Sequence, residues 1–168
     1  MLAKIGEIVL KSKIEKDNAA RSRKFLSWDS IDKIALIVCS EQALNKSAID
    51  SYIQKTKKHV EVFHIELGSK EPSYGDWECF AKKDKSLLKL PKRSRIDALK
   101  SKKFDVVINT CEENGLFSTA VSSSLNAPVK CGSSDRFKDT DIIIKKSEPF
   151  NLIKYLDDVV VYLKMIKP

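Results

Sequence analysis

The sequence predicts an α/β fold with a mainly parallel sheet, and three observations carry that prediction. Phe104-Asp105-Val106-Val107-Ile108-Asn109-Thr110 is a short apolar run between a lysine-rich segment and a polar turn. Such a run suits a strand covered on both faces. Lys33 to Cys39 (Lys-Ile-Ala-Leu-Ile-Val-Cys) is a second run of the same kind. Between them, residues 40–58 carry Leu44, Ala48, Ile49, Tyr52 and Ile53 at helical spacing, and His59 to Leu67 carries Val60, Val62, Phe63 and Ile65. Strand, helix, strand in that order implies a crossover and a parallel pair. The expected architecture is a three-layer Rossmann-like domain over residues 29–168, with five or six strands. A basic helical arm over residues 1–28 precedes it. A chain of 168 residues that is 42% apolar suits one domain with a real core.

The arm is expected to be helical to about residue 27, with Leu2, Ile5 and Val9 as its apolar stripe and Phe25, Leu26 and Trp28 docking it onto the body. A solvated basic helix is the plain reading; a binding arm and an amphipathic membrane-surface helix are the others. Past the second strand, Gly68, Pro72 and Gly75 mark turns, and Trp77 to Phe80 suits a short edge strand. A helix is expected over 94–103, then the central strand 104–110. Leu116, Phe117, Ala120, Val121 and Leu125 predict a helix over 115–125. Residues 128–131 and 141–145 read as further strands. The last helix is expected to open at Ser147-Glu148-Pro149, where serine caps and proline suits the first turn, and to bury Leu152, Ile153, Leu156, Val159, Val160, Leu163 and Ile166.

The net charge of +8 is unevenly placed. Residues 1–28 hold seven basic side chains against three acidic ones, and residues 82–103 hold ten against two. Lys82, Lys83, Lys85, Lys92, Arg93 and Arg95 form the candidate basic surface for a protein or nucleic-acid partner. Cys39, Cys79, Cys111 and Cys131 are far apart and make no zinc or redox motif. They read as inert packing thiols in a reducing, cytoplasmic setting. No apolar run approaches the roughly 20 residues that span a bilayer.

In an open parallel sheet, ligands bind at the carboxyl ends of the strands where the strand order reverses. Those ends offer Ser40, Glu41, Glu66, Asn109, Thr110, Glu112 and Asn114 as candidate ligand contacts. With five glycines there is neither a dinucleotide fingerprint nor a phosphate loop. Glu41, Glu112 and Glu113 would occupy helix N-termini and repel phosphate, leaving a neutral, hydroxyl-rich or cationic ligand. No nucleophile elbow is present, and His59 and His64 point to opposite faces of one strand. No catalytic residue, metal set or cofactor is expected.

The basic first helix, the apolar first strand, Cys79-Phe80-Ala81-Lys82-Lys83-Asp84, Phe104 to Asn109, and the ending Tyr162-Leu163-Lys164-Met165-Ile166 together resemble a bacterial family of short α/β proteins of unknown function. That resemblance implies the fold and carries no activity. Phe104 to Asn109, Gly115 and Ala127-Pro128 are also similar to one half of the heptosyltransferase type of sugar transferase, with Asn109 where that pattern has an acid. The function expected is a non-catalytic binding or interaction module. The alternatives are a nucleotide-sugar enzyme that completes its cleft by oligomerising and a salt-dependent nucleic-acid binder.

Overall fold

A computed structural model describes residues 1–43, 45–68, 74–111 and 115–167, with Glu41 described in its backbone alone. The elements run α1 (Leu2–Ala20), β1 (Lys33–Cys39), α2 (Ser40–Ala43), α3 (Lys46–Thr56), β2 (His59–Glu66), β3 (Glu78–Ala81), α4 (Arg93–Lys100), β4 (Val106–Asn109), α5 (Leu116–Ser124), β5 (Val129–Gly132), β6 (Ile142–Ile143) and α6 (Leu152–Met165). The described strands form one sheet in the order β3-β2-β1-β4-β5-β6, and every pairing is parallel. This is the 3-2-1-4-5-6 order of a doubly wound sheet, so the order reverses between β1 and β4.

Side-chain alternation along the strands builds two cores. Ile34, Leu36 and Val38 with Val106 and Ile108 face Ile49 of α3 and Tyr155, Leu156, Val159 and Leu163 of α6. Ala35, Ile37, Phe63 and Val107 face Leu99 of α4 and Phe117 and Val121 of α5. The double cover explains why β1 and β4 read as unbroken apolar runs rather than alternating ones.

Several boundaries differ from expectation for local reasons. The helix expected over 40–58 is broken at Asn45, the N-cap residue of α3, and α3 ends at Lys57 with a left-handed φ of 55°. Leu44 and Pro72 lie outside the described residues. The last helix starts at Leu152, not at Ser147, because Asn151 Oδ1 accepts the Lys154 N–H at 3.0 Å and caps that turn.

The largest correction concerns α1. It ends at Ala20 rather than near residue 27, and it buries Gly6, Leu10 and Ile14 while the stripe of Leu2, Ile5 and Val9 is exposed. Leu10 and Ile14 pack on Ala120 of α5 and on Phe137, with Leu90 and Leu116 at the margin. α1 therefore forms an outer layer over α5. Beyond its last turn, Arg21 forms a bidentate pair with Asp141 at 2.7 and 2.8 Å, both side chains buried. Leu26 and Trp28 pack against the α6-side core as expected, whereas Phe25 is exposed.

Gly6 is where α1 crosses the backbone of the loop at Leu88. A Cβ there would collide with the Leu88 carbonyl oxygen, which is main chain and cannot swing away. Glycine-to-alanine in a helix interior ordinarily gains about 0.5–1 kcal/mol. Gly6→Ala is expected to reverse that sign and destabilise by about 1–3 kcal/mol in urea unfolding, the range for overpacking.

His64 is buried on β2 beside Tyr74 and Trp77, with ring centroids 5.0 and 6.1 Å away. Burial holds its pKa below the ordinary value, an effect the Glu66 carboxylate only partly offsets. The unfolded chain then binds the proton more readily than the folded one. Stability is therefore full above the ordinary value of about 6.5 and falls as pH drops below it. Unfolding midpoints between about pH 7 and pH 5 are expected to fall less steeply in His64→Gln than in the parent.

Candidate functional site

The reversal point between β1 and β4 is where a ligand was expected, and the protein fills it with its own side chains. The register pairs Ile37 with Asn109, so two residues further on Cys39 faces Cys111. Their Cα atoms are 5.5 Å apart and they are joined as a disulfide. The expectation of inert thiols fails for this pair because shared register, not the nearby carboxylates, sets their approach. Of the other two, Cys131 is buried and Cys79 half-buried; burial raises both thiol pKa values, that of Cys131 to about 12.

Gln42 of α2 closes the crevice. Its Oε1 accepts the Cys39 N–H at 2.9 Å and its Nε2 donates to the Thr110 carbonyl at 2.7 Å. The Thr110 hydroxyl lies 2.7 Å from the Ile37 carbonyl and 2.8 Å from Gln42 Oε1, so its one proton serves either acceptor. Ser40 Oγ donates to Ile65 O at 3.1 Å, Glu66 Oε1 accepts the Gly68 N–H at 2.7 Å, and Asn109 Oδ1 accepts the Cys111 N–H at 3.1 Å. The structure thus brings Ser40, Asn109 and Thr110 to adjacent strand ends and binds each to its own chain. Glu112 and Asn114 lie outside the described residues, as does the side chain of Glu41.

Open space lies next to this plug. A groove of about 930 Å³ runs between the N-terminal ends of α3 and α6 and the outgoing end of β6. Gln42 and Asn45 stand on one side; Lys145, Lys146, Phe150 and Asn151 on the other; Ile143 and Ile153 add apolar surface. Lys146 Nζ lies 4.8 Å from the Phe150 ring centroid and donates to Cys111 O at 3.3 Å. Ser133 lies between this groove and a void of about 20 Å³, and its buried hydroxyl has no hydrogen-bond partner among the described residues.

The basic segment divides in two. Lys82, Lys83, Lys92 and Arg93 are exposed and Lys85 is half-buried. Arg95 turns inward: it donates to Cys79 O at 2.7 Å, pairs with Glu78 and Asp84 at 3.0 and 3.4 Å, and lies over the Phe80 ring. A second charged group was missed by sequence reading. Lys130 is buried with Nζ 2.9 Å from both Asp139 and the Ser122 carbonyl, and Ser122 Oγ donates to Asp139 at 2.7 Å. Burial lowers the Lys130 pKa against the opposing pull of Asp139. Since the amine sits on the last turn of α5, it caps that helix rather than facing a ligand. The signal available was a lone lysine inside an apolar strand, with Asp139 and Asp141 a loop away.

Among the described residues, no three His, Cys, Asp or Glu side chains gather as a metal site. None of the described helices is long and apolar enough to cross a membrane. Gln42→Ala, which strips partners from Cys39 N and Thr110 O, is expected to cost about 1–3 kcal/mol in urea unfolding, and Asn45→Ala, which removes no side-chain cap bond, well under 1 kcal/mol.

Neither a curated protein nor a solved structure matches the chain. A family model does, over residues 3–166, and it is described as a family of unknown function. The chain therefore belongs to the family of unknown function DUF6913.

Proposed function

We propose that this protein is a non-catalytic binding module whose ligand seats in the groove between α3 and α6. The groove itself carries the reading: its volume of about 930 Å³ falls within the roughly 300–1,000 Å³ of small-molecule sites, and it lies at the carboxyl edge of the sheet. The reversal point beside it, where a transferase of this architecture would place its nucleotide, is occupied by Gln42, Thr110 and the Cys39–Cys111 bond.

The lining argues for a particular kind of ligand. Lys145 and Lys146 outnumber the single described acid, Glu148, while Phe150, Ile143 and Ile153 offer apolar walls. A small organic molecule with an aromatic body and one carboxylate satisfies both.

Thermal unfolding with a panel of aryl and indole carboxylates tests the reading. A member at roughly a hundredfold above its Kd is expected to raise Tm by about 5–10 °C. A Lys145→Glu variant is expected to abolish that rise while keeping the unliganded Tm, since its side chain is exposed. No shift across the panel, or a shift unchanged in the variant, overturns the groove. Transfer or hydrolysis of a nucleotide sugar would overturn the non-catalytic reading.

A further inference from the structure

The apolar stripe that the sequence shows at the start of α1 is on the outside of the molecule. Leu2 is 50% exposed and Ile8 67%, with Met1, Ile5 and Val9 exposed beside them. Spacings of three, four and seven place these side chains along one side of α1, away from the Gly6, Leu10 and Ile14 row that meets α5. α1 is thus apolar on two opposite sides, and the body covers only one.

A second apolar point stands next to the stripe. Lys85 and Pro91 pair as an antiparallel bridge, and Ser86 N donates to Leu90 O at 2.7 Å, which closes residues 85–91 into a tight loop. The carbonyl of Leu88 rests against Gly6, a helical neighbour of both Leu2 and Val9. Leu87 beside it is 85% exposed.

Cations border both features. Lys4 and Lys11 are exposed on α1, and Lys82, Lys89 and Lys92 are exposed in and around the loop. Of the carboxylates nearby, Glu7 pairs with Arg136 at 3.0 Å, Asp84 pairs with Arg95 and accepts the Ala81 N–H, and Glu15 is exposed one turn beyond Lys11. An apolar helix face rimmed by lysines is the pattern of helices that lie in a membrane interface. Each lysine close to an anionic surface contributes about 1 kcal/mol. A second copy of the chain fits less well, because six apolar side chains are few against the roughly 20–30 residues a side of a stable dimer.

We propose that the outward face of α1, together with the Leu87 loop, docks this protein peripherally on an anionic lipid bilayer. The surface lies on the opposite side of the sheet from α6, so this proposal stands independently of the groove.

Co-sedimentation of the full chain with vesicles tests it. Vesicles of phosphatidylcholine mixed with phosphatidylglycerol are expected to bind the protein, and phosphatidylcholine alone to bind it at least about tenfold more weakly. Binding is expected to weaken as salt rises. Ile5→Asp combined with Ile8→Asp is expected to lower anionic-vesicle affinity by at least about tenfold, and Lys89→Glu combined with Lys92→Glu to do likewise. All four positions are exposed, so thermal unfolding is expected to match the parent. The proposal is overturned by no binding to anionic vesicles at low salt, or by equal binding to both lipids. It is also overturned if the Ile5, Ile8 variant binds vesicles as the parent does. A dimer abolished by that variant, without vesicle binding, assigns the face to self-association instead. Binding of a nucleic-acid duplex that needs the lysines but not Ile5 and Ile8, again without vesicle binding, assigns it to nucleic acid.

Discussion

The parallel pairing of β1 with β4 is the contact on which the rest of the structure depends. It joins two halves whose chains wind in opposite directions from the centre of the sheet, so both faces of these strands need helices over them. The chain secures the pair at both ends. At the start, Asp105 Oδ2 accepts the N–H groups of Asp32 and Lys33 at 2.9 and 2.8 Å. At the finish, Thr110 N donates to Ile37 O at 3.1 Å and the Cys39–Cys111 bond lies just beyond. The crevice of a doubly wound sheet is a by-product of this reversal. Here the same residues that secure the pair also fill the crevice, which moves the open space sideways to α3 and α6.

Two buried charge groups set how the outer layer joins the body. Arg21 and Asp141 meet with both side chains buried, and Asp141 also accepts the Lys130 N–H at 2.9 Å. The pair therefore links the end of α1, the start of β5 and the approach to β6 in one place. Burying ions gains little net stability over an apolar substitute, because desolvation offsets the attraction. What such a pair supplies is a defined position: α1 has one register along α5 in which Arg21 reaches its partner and Gly6 clears Leu88. Lys130 and Asp139 do the same for the last turn of α5.

The sheet was legible in the sequence because strands covered on both faces leave unbroken apolar runs, and Ile34 to Val38 and Val106 to Ile108 are such runs. Helix identities followed from their periodicity, whereas the orientation of α1 did not. A helix with Leu2, Ile5 and Val9 on one side and Leu10 and Ile14 on the other offers two cores, and only the tertiary partner chooses. Gly6, four residues before Leu10, was the one local hint of a close approach. The start of the last helix was ambiguous for a similar reason, since Ser147 and Asn151 can both cap. The site was half legible. Asn109 and Thr110 stand at the strand end next to Ser40, as the strand order implies, yet the bonds of Thr110 to Gln42 depend on how α2 sits, and the disulfide depends on a register two residues beyond the last paired strand positions. The groove could not be read, because Asn45, Ile143 and Phe150 come from three segments that only the folded chain assembles.

The margins of the sheet bear on everything that could join it. β6 has two residues and β3 four. A strand from another molecule needs a length of free backbone N–H and C=O groups to zip onto, and such short borders offer little of it. This protein is therefore poorly templated for edge-to-edge stacking into fibres, and for recruiting a peptide as an extra strand.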